Sequence, residues 1–463
     1  MFLKMGLCRR VFAIALIQFH YIWKRLMKRT DFYREQAEAL LAFIDASPSP
    51  WHAVETVKQQ LHAHGFSPLD EKIEWDLMAK GRYYVVRGGS SIVAFIVGHE
   101  PLVERGFNII GAHTDSPGLR VKPNASSIDA GLLRVGVEVY GSPILATYAD
   151  RDLSLAGCVS YRDEDGTINN KTVLFEKPLL RLPNLAIHMN NKVNDEGLKL
   201  DKQTALPLIL ATVEDVLPES LQFKELIAAQ SGLCGSAILS WELCSYDTQQ
   251  GTLWGLNDEF LASSQLDNLA SCHAAVAAFL NDEVMASSAT KVCAFFDHEE
   301  IGSESTKGAS GSFLPDVLMR IGESMLAGKE SYFRALSQSF MMSVDMAHAY
   351  QPSFSWAYEP KHRVSVNKGP VIKVNANQRY ATDNIAEAMC VDWCHQAGVP
   401  VQKYSHRTNL GCGSTIGPIV SAKLGIRSVD LGNPMWAMHS LRESAGVNDH
   451  GDMIKMMRQF FQH

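Results

Sequence analysis

At 463 residues, the chain is too long for one ordinary core and fits two domains. Hydrophobic residues at 46% and charged residues at 20% make an ordinary globular composition, with no internal repeat and no low-complexity tract. The net charge of -7 gives no reason to expect nucleic acid as a partner, and the nine cysteines form no CxxC pair, so reduced thiols in a reducing, cytoplasmic compartment are expected rather than a disulfide framework.

The first segment, residues 1–30, is basic at Arg9, Arg10, Lys24, Arg25, Lys28 and Arg29 around an apolar run from Val11 to Trp23. That run is short of the ~20 residues that span a bilayer, and no small-residue cleavage site follows it. A basic membrane-surface helix is one reading; a translation start at Met27, with no stable membrane partner, is the one expected here. An amphipathic helix is predicted over Asp31–Ala46, with Leu40, Leu41, Phe43 and Ile44 as its apolar stripe, stopping at Ser47-Pro48-Ser49-Pro50. A second helix follows over His52–His64, then strands at Tyr83–Val86, Ser91–Val97 and Phe107–Ile110. From Leu119 to Leu256 the pattern changes to short alternating strands such as Leu133–Tyr140, with a polar loop over Asn190–Gln203. After Asn257 helices and strands alternate: helix Asn268–Leu280, strand Lys291–Phe296, helix Pro315–Leu326, strand Phe340–Val344, helix Ile385–Ala397, strand Ile426–Leu431 and helix His450–Phe461. The expected fold is α/β, with a mostly parallel central sheet and helices on both faces. Residues 31–118 and 257–463 would form it, and 119–256 would be an inserted β-rich domain.

Chemistry-bearing side chains gather where predicted strands end or helices begin. In Gly111-Ala112-His113-Thr114-Asp115, extended backbone puts His113 and Asp115 on one side, so Asp115 can orient a ligating His113; a capped strand end is the plainer reading. Asp267, in Ser264-Gln265-Leu266-Asp267-Asn268, is either a helix N-cap or a carboxylate that bridges two cations. The most informative run is Val292–Ser303, where an apolar strand leads straight into Asp297-His298-Glu299-Glu300. Adjacent carboxylates at the mouth of a buried strand are costly unless a cation or proton relieves them. The run lacks the second histidine of HExxH, so the helical single-zinc protease pattern fails. Asp345 ends another strand, and His439 sits in the loop Met435–Ser440; alone, His439 reads as a structural histidine. His113, Asp267, Glu300, Asp345 and His439 form an oxygen-and-imidazole set that suits two Zn²⁺ or related divalent ions, leaving Glu299 unassigned. Lys368–Lys373 is a basic, hairpin-like segment.

These segments carry a resemblance. The chain resembles the aspartyl aminopeptidases, the M18 group of zinc metallopeptidases, through GAHTDSPGLRVKP (111–123), ADRDLSLAG (149–157), SQLDN (264–268), DHEEIGSES (297–305), SVDMAHA (343–349), KGPVIKVNANQRYATD (368–383), GSTIGPI (413–419) and MHSLRE (438–443). Order and spacing agree from about Asp31 to the end; residues 1–30 fall outside. The resemblance implies hydrolysis of N-terminal residues, preferentially Asp or Glu, from peptides with a free N-terminus. It implies two divalent ions per subunit, Zn²⁺ foremost, with Asp267 bridging, His113 and Asp345 on one ion, and Glu300 and His439 on the other. Glu299 would be the general base and Asp115 the partner of His113. Lys373 and Tyr380 would contact substrate, and His188 would reach a neighbouring subunit's site. The inserted domain would mediate dimers, assembling into a dodecamer. From base rates alone, Lys373 also reads as a solvent-exposed strand lysine. Rival readings are another two-metal hydrolase such as a carboxypeptidase or amide deacylase, a catalytically silent shell, against which the intact Glu299 argues, and a membrane-associated role for residues 1–30.

Overall fold

The computed structural model describes residues 31–213, 219–325 and 328–463, with side chains from 223 onward in the second stretch. The basic apolar segment 1–30, on which the Met27 start and membrane-surface readings rest, lies outside the described residues, as does Leu326 of an expected helix.

Helix α1 (31–45) buries Leu40, Leu41, Phe43 and Ile44 as the periodicity requires. Helix α2 (Pro50–Ala63) begins on Pro50, whose missing N–H would have no intrahelical partner there. Strands β1 (Ser67–Pro68), β2 (Arg82–Arg87), β3 (Ser91–Ile96) and β4 (Phe107–His113) follow. The middle of the chain contributes β5 (Gly118–Asp129), β6 (Leu132–Tyr140), β7 (Leu153–Arg162), β8 (Ile168–Leu174), β9 (Leu208–Thr212), helix α3 (Glu219–Ser231) and β10 (Ile238–Asp247). Strands β11 (Thr252–Trp254) and β12 (Phe260–Ser263), helix α4 (Leu266–Phe279) and β13 (Thr290–Phe296) come next. Helices α5 (Phe313–Met325) and α6 (Lys329–Gln338) precede β14 (Phe340–Val344), β15 (Ala347–His348) and β16 (Val371–Val374). The chain closes through α7 (Asn384–Ala397), β17 (Gln402–Ser405), α8 (Ile416–Leu424), β18 (Arg427–Gly432), β19 (Pro434–Trp436), β20 (Glu443–Gly446) and α9 (Val447–Gln462).

Nine strands form the central sheet in the order β1-β2-β3-β13-β4-β14-β18-β16-β17. The expectation of a mostly parallel sheet is corrected to a mixed one. The inner four, β13, β4, β14 and β18, run parallel, but β2–β3, β3–β13 and β16–β18 are antiparallel. Helices do cover both faces, and strand alternation divides the core between them. Ile92, Ala94, Ile96, Ile110, Cys293 and Phe295 pack with α1, α2, α4, α7 and α9 on one side. Val93, Phe95, Ile109, Val292, Ala294 and Phe296 pack with α5, α6 and α8 on the other.

Residues 118–247 make a six-stranded sheet, β8-β7-β10-β5-β6-β9, whose paired strands all run antiparallel. It has its own apolar cluster, to which α3 adds Phe223, Ile227 and Ala228 and the distant loop adds Leu441. A third sheet, β11-β12-β20-β19-β15, flanks the loop that carries His439. Among the described residues no helix is long and apolar enough to cross a membrane.

Candidate metal centre

Three parallel strands deliver the first half of the site. In β4 and β13, His113 pairs with Phe296, so the histidine and the Asp297–Glu300 turn leave the sheet side by side. Strand β14 lies next to β4, and Asp345 follows its last residue. This is the carboxyl end of a parallel sheet core, where open α/β sheets bind ligands.

The structure brings His113, Asp267, Glu299, Glu300, Asp345 and His439 together. His113 Nε2 lies 3.4 Å from Asp267 Oδ1, 3.7 Å from Asp345 Oδ1 and 4.0 Å from Glu299 Oε2. His439 Nε2 lies 3.7 Å from Asp267 Oδ2 and 3.4 Å from Glu300 Oε2. Three ligand-type groups result, His113–Asp267–Asp345, Asp267–Glu300–His439 and His113–Glu299–Glu300, with donor atoms within 4.8 Å in each and Asp267 shared by the first two. Asp267 caps nothing: its Oδ1 is buried with no hydrogen-bond partner among the described residues. A buried carboxylate oxygen without a donor is costly unless another group satisfies it. Five carboxylates gather here, Asp115, Asp267, Glu299, Glu300 and Asp345, and the one buried lysine beside them, Lys373, pairs with Asp345 alone. Oxygen and imidazole donors short of positive charge are what divalent ions such as Zn²⁺ require, and the residues fit them.

The electrostatics reflect that shortage. Burial, opposed by His113 and reinforced by the carboxylates of Asp345, Asp115 and Asp267, pushes Glu299 up to about 8. Burial and the charge of Asp267 hold Glu300 well above the usual carboxylate range. Burial works against a charged His113, yet the surrounding carboxylates of Asp115, Asp267, Asp345 and Glu299 outweigh it and raise its pKa. For Asp345, burial is overcome by the ammonium of Lys373 and by His113, and its pKa falls.

Asp115 anchors the arrangement. Its Oδ1 lies 3.3 Å from His113 Nδ1. It also accepts the backbone N–H groups of Glu299 and Glu300, both at 3.1 Å, and the Tyr140 hydroxyl at 2.7 Å. Three residues beside the ligands take left-handed backbone, Gln265 (φ 56), His298 (φ 68) and His439 itself (φ 68). Such conformations persist in non-glycine residues only where surrounding contacts hold them.

Lys373, 2% exposed, is a buried residue of β16, not a solvent-facing lysine and not part of a hairpin: β16 pairs parallel with β17. Its Nζ lies 3.4 Å from Asp345 Oδ2, donates to the Met346 carbonyl at 3.1 Å and sits 5.1 Å from the Tyr380 ring centroid. Lys373 and Tyr380 line a cleft of ≈ 440 Å³ together with the six clustered residues. His188 is not part of it: the residue is exposed, on the 183–190 loop, and does not line the cleft of its own chain.

Two residues escaped the sequence reading. Glu443, in the MHSLRE segment, is buried in β20 and accepts the backbone N–H of His439 at 2.7 Å and of Asp267 at 3.1 Å. One carboxylate thereby spaces two candidate ligands that are far apart in the chain. His348 also lines the cleft, and burial lowers its pKa to about 4. Both lie inside quoted motifs, so their positions were visible while their roles were not.

The chain matches the model of a family described as aminopeptidase I zinc metalloprotease (M18), over residues 43–461. It is 44% identical to a probable M18 family aminopeptidase 2 from Stutzerimonas stutzeri (strain A1501), over 92% of this chain and 98% of that one. It is 42% identical to the protein so described from Pseudomonas aeruginosa (strain UCBPP-PA14), again over 92% and 98%. Among solved structures it is similar to Ape4 in its complex with Nbr1, with TM-score 0.89, 38% identity and coverage of 93% and 86%. It is also similar to the S. cerevisiae mApe1 dodecamer, with TM-score 0.80, 26% identity and coverage of 92% and 96%.

Proposed function

The chain belongs to the M18 family of zinc metalloproteases and is an aminopeptidase, and from that premise we propose that it removes N-terminal Asp or Glu from peptides at a two-ion centre. Asp267 would be shared by both ions, His113 and Asp345 would help hold one, and Glu300 and His439 would help hold the other. The observation that carries this reading is the pair of ligand groups sharing the hydrogen-bond-orphaned Asp267, with Glu299 beside them. When bound, the ions supply Lewis-acid polarisation of the scissile carbonyl and make water acidic enough to attack near neutral pH.

The remaining steps belong to the chain's own residues. Glu299, 4.0 Å from His113 and outside the two groups that share Asp267, accepts the proton of the attacking water and passes it to the leaving nitrogen. Asp115 holds His113 by its Nδ1 and fixes the Glu299–Glu300 turn through two backbone amides. Lys373 directs donors at Asp345 and the Met346 carbonyl; an ammonium has three, and the third receives the acidic side chain of the substrate. Tyr380 walls the same end of the cleft. His188, exposed in its own chain, serves the site of a neighbouring copy. Residues 119–256 mediate that self-association, and likeness to the mApe1 dodecamer supports an assembly of the same order. The setting is cytoplasmic.

The test uses peptides beginning with Asp, Glu, Leu or Lys, each beside its N-acetylated form, with and without a chelator. Release from free Asp or Glu peptides, abolished by chelation and by Glu299→Gln, is expected. Release from Leu or Lys peptides instead would keep the metal centre and remove the acidic preference, along with the role of Lys373.

A further inference from the structure

The six-stranded sheet makes direct contact with the candidate catalytic turn. Strand β6 ends on Tyr140, whose hydroxyl donates to Asp115 Oδ2 at 2.7 Å in a buried environment. Asp115 is the carboxylate that receives the backbone amides of Glu299 and Glu300 and orients His113. The ring of Tyr140 is held from behind by Arg120, whose guanidinium carbon lies 3.8 Å from the ring centroid. Arg120 faces Glu138 across the β5–β6 pair, so Tyr140 is its diagonal neighbour, within reach of a long side chain. The guanidinium also reaches Glu242 of β10 at 3.6 Å and Asp297, which begins the catalytic turn, at 4.0 Å.

A second, independent contact follows at once in the chain. At Gly141 (φ +67) a Cβ would meet the Cβ and carbonyl oxygen of Glu300, both at 3.2 Å. Only glycine allows the end of β6 to lie this close in that backbone conformation. One residue further, the Ser142 carbonyl lies 3.0 Å from His439 Nδ1, on the ring edge away from the Nε2 that meets the carboxylates.

We propose that Tyr140 and Arg120 are positioning residues, through which the six-stranded sheet sets Asp115 and, by way of it, the Glu299–Glu300 turn and His113. This rests on the two-ion reading above and gives the sheet a part in the chemistry besides self-association. A carboxylate with two backbone amides, an imidazole and a phenol directed at it has its rotation fixed. Removing the phenol takes away one of these four donors and loosens Asp115, and with it the reference shared by both glutamates and the histidine. Partners of this kind typically contribute 10–100-fold to metal affinity or activity.

Tyr140→Phe keeps the ring, its packing and its stacking on Arg120, and removes only the hydroxyl. Purified wild type, Tyr140→Phe, Arg120→Lys and Glu299→Gln are compared in two measurements. The first is kcat and KM on a peptide that the wild type cleaves. The second is Zn²⁺ affinity of the metal-free protein, titrated against a chromophoric chelator. Tyr140→Phe is expected to lower kcat about 10–100-fold with KM within about twofold, and to weaken Zn²⁺ binding about tenfold. Arg120→Lys, which retains charge but loses the planar stack, moves both readings the same way by less, and supplies the test should Tyr140→Phe not fold. Parental kcat and parental Zn²⁺ affinity in both folded variants would overturn the proposal. Glu299→Gln separates the two levels: its inactivity beside a fully active Tyr140→Phe sinks the positioning role alone, whereas an active Glu299→Gln sinks the underlying reading.

Discussion

The two halves of the candidate centre are built in different ways. His113 and Asp345 stand at the ends of neighbouring parallel strands, and each inherits its place from a ladder of backbone hydrogen bonds. Glu300 and His439 sit on a short turn and a loop, and the His439 side chain is 27% exposed against 2% for His113. What substitutes for a ladder is a set of remote acceptors: Asp115 for the Glu300 amide, Glu443 for the His439 amide, and the Ser142 carbonyl for its imidazole. Strands place side chains by the pleat, while loops place them by individual polar contacts, so the inner half is the stiffer and the outer half the more easily exchanged.

The largest expected effect breaks the chemistry without touching either half. Glu299→Gln removes the proposed proton acceptor and should lower kcat about 10²–10⁴-fold, with the bound metal, counted by elemental analysis, unchanged. Asp345→Asn then strikes the inner half. It leaves the Lys373 ammonium buried without its charge partner, a change that costs about 3–5 kcal/mol. Guanidinium unfolding of the metal-free protein should show that loss, and His439→Ala, at the exposed end, should not. If the two variants lose equal stability, the contrast between stiff and exchangeable halves is wrong.

Acid separates the scaffold from both halves. His273 of α4 and His450 of α9 share a buried hydrogen bond of 2.8 Å, and burial lowers His273 to about 4 and His450 well below its usual value. The unfolded chain takes up protons near pH 6.5, so this contribution is complete above that value and is lost as pH falls from 6.5 to 4. For His273 alone it amounts to on the order of 3 kcal/mol. Unfolding titrations of metal-free protein at pH 7 and pH 5 should show the drop, and a His450→Leu variant should show a smaller one. The smallest effect concerns Glu443→Gln, which keeps the shape but turns one acceptor into a donor facing a backbone N–H. A fall of about tenfold in kcat, with easier loss of one metal equivalent on dialysis, is expected for a lost buried hydrogen bond. A loss of both equivalents would show that Glu443 serves the whole centre through Asp267.

Much of the inner half was legible because β4, β13 and β14 are apolar runs that end abruptly in His113, Asp297 and Asp345, and a buried strand has no other reason to end in charge. Helix faces were legible where the stripe was strong, as in α1. The direction of the outer strands was not, since β3 and β16 carry the same alternation whichever way they run, and only connections fix orientation. Helix α6 was missed because its stripe, Tyr332, Ala335 and Leu336, is short and interrupted by polar residues. Helix α8 was missed because Gly417 and Pro418 read as breakers, although proline is tolerated in a first turn. Lys373 looks like a surface residue in any window around it, and only the placement of β16 beside β18 buries it. The role of Tyr140 depends on Asp115, beyond the end of a strand of another sheet, and that of Glu443 on Asp267, 176 residues away, beyond any local pattern.

The six clustered side chains begin at His113 and end at His439 of a 463-residue chain. Synthesis releases the chain from its N-terminus, and domains fold as their residues emerge. Strand β4 can be made early, but its neighbours β13 and β14 come from the second half, and the last candidate ligand, His439, arrives with the loop before β20. A chain made only as far as β14 therefore lacks His439 and, with it, the complete cluster.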